Sequence, residues 1–167
     1  MKSILGWTAA AVLAVFPLVA AAQNPFGGFK HDETQPIEIA ADSLEVREAD
    51  RIAIFQGKVV AGQGTLRLTA DNLEVSYGAS TGETGEINRL KANGDVFLAN
   101  GAETAAGAWA DYDVGAGLIK MGGGVTLTQG GNTVKGGTLV INLNTGQGKV
   151  EGGRVKSVFA PAPKETD

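Results

Sequence analysis

The sequence has no cysteine and a single histidine, His31. Without thiolates there is no disulfide, no thiolate–metal centre and no thiol redox chemistry. One imidazole has no second histidine with which to build a zinc site or a nucleophile relay, so His31 reads as a solvated linker residue. Aromatic residues are sparse, at 6%. Basic residues are outnumbered, 14 Lys and Arg against 18 Asp and Glu. An acidic chain lacks the positive charge that holds phosphate backbones, so nucleic acid is not an expected partner. Beyond Pro36 no stretch shows a 3.6-residue apolar period, which argues against a helical core.

Long apolar runs are also missing, with one exception at the start. Met1 and Lys2 precede an almost wholly apolar stretch from Ile4 to Ala22. Ala20 and Ala22 place small residues in the A-x-A pattern that a signal peptidase accepts, just before polar Gln23 and Asn24. Residues 1–22 are therefore expected to be a signal peptide, cleaved near Ala22-Gln23. The alternative is a retained anchor, since about 19 apolar residues are long enough to span a bilayer. Pro17, the alanine-rich end and the lack of a following basic cluster favour cleavage. Loss of Lys2 takes the formal charge from −4 to −5.

What the sequence has in excess is glycine, 25 of 167 residues, about twice ordinary usage. Between the glycines, apolar and polar residues alternate. Ile37-Glu38-Ile39, Leu44-Glu45-Val46, Leu66-Arg67-Leu68, Leu73-Glu74-Val75 and Leu139-Val140-Ile141 are short period-2 runs, the mark of half-buried antiparallel strands. The chain is expected to be all-β. Residues 23–36 read as a flexible lead-in, 37–159 as one β domain, and 160–167, with Pro161 and Pro163, as a disordered tail.

The alternation repeats. One element is a small-residue pair followed by x-L-x-V: Ala41-Asp42-Ser43-Leu44-Glu45-Val46 and Ala70-Asp71-Asn72-Leu73-Glu74-Val75, with weaker copies from Gly107 and Gly136. Their starts stand 29, 37 and 29 residues apart. A second element sets a glycine two before a valine, with an amide-glycine pair after it. It occurs at Gly57, Gly94 and Gly123, with Gln63-Gly64, Asn100-Gly101 and Gln129-Gly130 following. Gly152 extends that series, although its valine slips by one to Val155. Glycines inside strand patterns predict bulges or corners, and the amide-glycine pairs predict tight turns. One such unit cannot bury its apolar face alone; four stacked units can, as two facing sheets.

Catalytic signatures are few. Asp42 and Asp71 recur in register and could in principle act as paired carboxylates, but each opens a strand, where aspartate ordinarily bonds its own backbone in a turn. Gly122-Gly123-Gly124 leads into a strand and not a helix, so it is no phosphate cradle. No catalytic residue, metal or cofactor is expected. What remains is the interior face. Before the glycine, Ala53, Leu90 and Ile119 share one position of the register and Phe55, Ala92 and Met121 the next, and after it Val59, Val96 and Val125, then Ala61, Leu98 and Leu127, share others. Such a face is either packed core or an open apolar trough able to take lipid tails.

These residues are similar to a known family, the LptA/OstA-like lipopolysaccharide-transport proteins. The resemblance is carried by Gln35-Pro36-Ile37-Glu38-Ile39, by Phe55-Gln56-Gly57-Lys58-Val59 through Gln63-Gly64-Thr65-Leu66 to Ala70-Asp71, and by the stretches 107–112, 123–130 and 134–143. It covers residues 35–159. It implies an elongated antiparallel β-jellyroll of two facing sheets, open at the ends, that carries lipopolysaccharide through the Gram-negative periplasm with its acyl chains inside.

The partners so implied are like-folded domains of an inner-membrane ABC exporter complex and an outer-membrane barrel. The chain would bridge the two, and a head-to-tail homo-oligomer is a further expectation. Acyl contacts are implied at Ile37 and Ile39 near one opening, and at Phe55, Leu68, Leu90, Val96, Leu98, Tyr112 and Val114 in the body. Met121, Val125 and Leu127 complete the set in the third unit. Partner docking is implied at edges carrying Ile37, Glu38 and Ile39, and Val155 and Val158. Lys58, Arg67, Arg89 and Lys91 are left to meet phosphorylated sugars at a rim. The glycines of 115–124 predict looser strands in that third unit. Two other readings remain: a membrane-tethered sister subunit of the same machine, and a structural β-repeat protein with a dry core.

Overall fold

The computed structural model describes Phe29, Asp32 and residues 34–78 and 85–161. The expected signal segment 1–22 and residues 162–167 of the expected tail lie outside the described residues, as does His31. The period-2 runs become ten strands: β1 (Ile37–Ala40), β2 (Ser43–Arg47), β3 (Ile52–Gln63), β4 (Leu66–Tyr77), β5 (Ile87–Asn100), β6 (Glu103–Asp113), β7 (Leu118–Gln129), β8 (Asn132–Asn142), β9 (Gln147–Glu151) and β10 (Lys156–Val158). They form one antiparallel sheet in which β3 to β8 follow chain order. Both β1 and β2 pair with β3 at one end, and both β9 and β10 pair with β8 at the other.

This single sheet is folded along a line of bulges. The register shifts between Gln56 and Val59, Thr69 and Asn72, Asn93 and Val96, Ala106 and Trp109, and Gly122 and Val125. On β3, β5 and β7 the bulge is a glycine with positive φ followed by a second left-handed residue: Gly57-Lys58, Gly94-Asp95 and Gly123-Gly124. Gly152-Gly153 does the same between β9 and β10. The other repeated element supplies the facing half of each corner. A Cβ on Gly57 would meet Asp42, one on Gly94 would meet Asp71, and one on Gly123 would meet the Ala108 methyl. Gly152 lies against Gly137. The two interlocked repeats are thus the two sides of one crease, and Asp42 and Asp71 sit there as corner residues.

The crease divides every long strand between two layers. The β1 layer holds β1, β10 and the strand segments that run to the hairpins at Gly64, Gly101 and Gly130, all glycines with positive φ. The β2 layer holds β2, β9 and the other segments. The layers face one another: Tyr112 of the β2 layer bonds Gln63 of the β1 layer, 49 residues away in sequence. The expected pair of facing sheets is therefore present as one creased sheet.

The core lies between the layers. Leu73, Val75, Leu98, Ile119, Met121, Leu127, Leu139 and Ile141 are all buried there, each side chain contributing roughly 1.5–3 kcal/mol on leaving water. One expectation needs correction. The glycine-rich third unit is not loose: Met121, Val125 and Leu127 are at most 2% exposed. Its glycines serve contact, since a Cβ on Gly122 would strike the Trp109 ring and one on Gly123 the Ala108 methyl. Within the expected lead-in, Phe29 is fully buried in the core cluster, and Gln63 Nε2 donates to the Gln35 carbonyl at 3.0 Å.

Candidate functional site

The interior is the site the fold builds, and its two ends differ from its middle. At the N-terminal end, Ile37 and Ile39 pair with Gln63 and Ala61, and Leu44 and Val46 pair with Phe55 and Ala53. Directly opposed residues of antiparallel strands share a face, so all four apolar side chains of the two edge strands belong to the interior side. Ile37, Ile39 and Phe55 are half-buried. Leu44 and Val46 are 55% and 59% exposed. Among the described residues no further strand covers them, and the interior opens there as an apolar mouth.

At the C-terminal end, Val150 pairs with Leu139 on the interior face, and Val155 lies beside Val150 against Gly136. Val158 pairs with Thr133, one step from the buried Val134 that Ser157 opposes, so Val158 points outward. It is 66% exposed and Phe159 63%. Most of the exposed large apolar side chains thus sit on the two open ends.

Of the residues expected to contact acyl chains, Leu90, Val96, Leu98, Tyr112, Met121, Val125 and Leu127 are buried between the layers, and Ile37, Ile39, Phe55, Leu68 and Val114 pack against that core half-buried. The expected edge residues Ile37, Glu38 and Ile39 lie on β1, Val158 on β10 and Val155 just before it. Ile37, Leu68, Leu90, Leu98, Tyr112 and Ile119 come together around a cavity of about 30 Å³. That holds one or two water-sized groups, against roughly 300–1,000 Å³ for ordinary ligand pockets.

The basic side chains proposed for a rim are on the outside. Arg89 holds Asp111 through two 2.6 Å bonds, which raise its pKa above the ordinary arginine value. Lys91 lies 3.8 Å from Glu74. Arg67 folds over Gly62 and donates to the carbonyls of Gly64 and Leu66.

A polar row inside the β1 layer was not foreseen. Gln63, Asn100 and Glu103 are buried. Gln63 Oε1 accepts from the Tyr112 hydroxyl at 3.1 Å, Asn100 Oδ1 from Thr65 at 2.6 Å, and Glu103 from the Gln129 amide. Gln63, Asn100 and Gln129 are the amides of the amide-glycine turns. The signal was available: two-residue steps from Val59 and Ala61, from Val96 and Leu98, and from Val125 and Leu127 end on these amides, on the same inner face. Leu44 and Val46 were also legible by their alternation, but not their exposure.

Residues 38–147 match the family model described as LptA/(LptD N-terminal domain) LPS transport protein. An uncharacterized protein of Rhizobium meliloti (strain 1021) is 31% identical over 165 residues, covering 95% of this chain and 89% of that protein. Among solved structures, LptH of Pseudomonas aeruginosa, described as the LptA-homologous periplasmic component of the lipopolysaccharide transport device, superposes with a TM-score of 0.69. The match covers 78% of this chain and 99% of that one, at 21% identity.

Proposed function

The chain belongs to the LptA/(LptD N-terminal domain) family of lipopolysaccharide transport proteins, and from that premise we propose that it is a periplasmic carrier that receives lipopolysaccharide acyl chains between its layers and bridges like-folded domains at the two membranes. The observation that carries this reading is the apolar N-terminal mouth, where Leu44 and Val46 are exposed beside half-buried Ile37, Ile39 and Phe55. Each methylene taken from water into such a surface gains about 0.8 kcal/mol, so the mouth favours acyl tails over polar ligands. No catalytic step is assigned to it.

The edges support the bridging role. Among the described residues, β1 and β2 on one side and β9 and β10 on the other have one unpaired edge each, a template for strand addition. The crease register carries across such a junction. Just before each corner glycine, Gln56 opposes Asn72, Asn93 opposes Trp109 and Gly122 opposes Thr138. Continued into a second copy, the pattern sets Glu151 against Ser43, Val150 against Leu44 and Lys149 against Glu45. In the single chain these charges pair within their own strands, Arg47 with Glu45 at 2.7 Å and Lys149 with Glu151 at 2.7 Å. Arg47 lowers the Glu45 pKa, first by its hydrogen bond and then by its charge.

Photo-crosslinking in cells tests the reading. A benzophenone side chain at Ile39 or Phe55 is expected to give lipopolysaccharide adducts, whereas one at Thr69 on the outer face is not. Clean protein from both interior positions would sink acyl binding. The mass of the exported chain separates the soluble carrier, cleaved after Ala22, from a tethered sister subunit that keeps residues 1–22.

A further inference from the structure

Along the crease, the outer face of the sheet carries amides and one tryptophan. The adjoining outer row of the β2 layer instead carries charges, Glu74, Lys91, Asp111 and Lys120 in succession. In the crease row Gln56 opposes Asn72, Asn72 opposes Asn93, Asn93 opposes Trp109 and Trp109 opposes Gly122, with Thr138 beyond. Opposed residues share a face, and their strand neighbours Leu73, Ala92, Ala110 and Met121 are buried between the layers, so this row points outward. Strands lie about 4.8 Å apart, which sets Gln56 and Trp109 roughly 14 Å from one another, the length of a short oligosaccharide. We propose that the row is a binding site for a neutral glycan chain, with Trp109 as the platform for a sugar ring and the amides as hydrogen-bonding partners of its hydroxyls.

The platform is built by the missing side chain opposite it. Cζ2, Cε2 and Nε1 of the Trp109 ring crowd the place where a Cβ on Gly122 would stand, so the ring lies across the Gly122 backbone. Gly122 is buried beneath it, yet Trp109 is 38% exposed. An indole held in this way offers a flat apolar surface with an N–H donor at its edge. That combination matches the C–H face and the hydroxyl rim of a sugar ring.

The amides are available as well. Gln56 and Asn93 precede corner glycines, where such side chains commonly bond the turn backbone. Among the described residues, however, the side chains of Gln56, Asn72 and Asn93 and the Trp109 Nε1 make no hydrogen bond. All three amides are exposed, and each carries two donors and an acceptor, as hydroxyl-rich ligands require. Charge selects among ligands. The row itself is uncharged from Gln56 to Thr138, and the corner residues beside it set Asp42, Asp71 and Asp95 against Lys58 alone. That balance disfavours phosphates and nucleic acid. A single exposed ring is also too little apolar surface for a lipid or a protein partner. The site lies outside the layers and is independent of acyl binding between them.

Tryptophan fluorescence reads the site directly, because in a chain cleaved after Ala22 Trp109 is the only tryptophan, the other being Trp7. The exported chain, purified from the periplasm, is titrated with two probes. One is the N-acetylglucosamine hexamer, a glycan of the cell-wall type, and the other is lipid-free O-polysaccharide released from lipopolysaccharide by mild acid. A saturable blue shift with either probe is expected, and the probe that responds identifies the source of the glycan. No response to both overturns the site. Calorimetry of variants then assigns the residues. Trp109→Ala should weaken binding at least about tenfold, since it removes the main apolar contact. Asn93→Ala should weaken it about fivefold, the worth of one hydrogen bond. Asn93 is exposed, so this second variant keeps the fold even if uncovering Gly122 in the first does not. Unchanged affinity in Asn93→Ala overturns the row as the binding site. Lipopolysaccharide adducts from a benzophenone at Ile39 should persist in Asn93→Ala, which keeps the fate of this site separate from that of acyl binding.

Discussion

Two regions of the same sheet are made from the same alternation, yet they are not equally closed. Around β7 and β8, Met121, Leu127, Leu139 and Ile141 are almost completely buried. Around β1 and β2, residues of the same type on the same interior face are half-buried or exposed. The sequence pattern does not distinguish Leu44-x-Val46 from Leu139-x-Ile141. Position in the sheet does: β8 has strands on both sides, whereas β2 has only β3. A closed interior therefore needs apolar residues and a neighbour beyond them, and the N-terminal mouth has only the first.

The largest expected contrast follows from that difference. Leu139→Ala should lower unfolding stability by about 3 kcal/mol, because the cavity it leaves is enclosed. Leu44→Ala, removing the same atoms at the mouth, should cost less than about 0.5 kcal/mol in the isolated chain. Urea denaturation measures both, and equal losses would break the distinction between closed interior and open mouth.

A second contrast runs along the crease. Gly94 has φ of 82° and a Cβ would strike the Asp71 carboxylate. Gly124 has φ of 85° and nothing within 4 Å. Gly94→Ala is expected to cost about 2–3 kcal/mol, from backbone strain and the displaced aspartate, and Gly124→Ala about 1 kcal/mol from the backbone alone. If Asp71→Gly in the Gly94→Ala background recovers no stability, the aspartate is not what limits the corner.

The smallest effect concerns how the open end is covered. Glu45→Lys should weaken self-association about threefold, by setting two cations opposite each other at the junction. Adding Lys149→Glu in the same chain should restore it, as read by sedimentation. If the single and double variants associate alike, the register inferred for the junction is wrong, or the edges serve only partners other than a second copy.

Much of this architecture was readable from the residues. The spacing of Gly57, Gly94, Gly123 and Gly152 located the crease, and two-residue steps assigned Phe55, Leu90, Leu98 and Met121 to one face. The buried amides are within reach of the same rule, but Gln and Asn before glycine already have a sufficient local reason to be there as turn formers. The glycines of the third unit misled in the other direction. Their number suggested slack, whereas Gly122 is small because the Trp109 ring lies across it. Local patterns report φ and face, and they do not report which ring or methyl fills the space a missing Cβ leaves.

By itself the sequence determined an all-β chain, its strand faces, its corners and its family, because period, glycine placement and motif are properties of nearest neighbours along the chain. Only the tertiary structure decided that the two expected sheets are one creased sheet, that Tyr112 reaches Gln63 across 49 residues, and that the interior is packed at β7 and β8 but open at β1 and β2. Those outcomes depend on what lies beyond each strand in space.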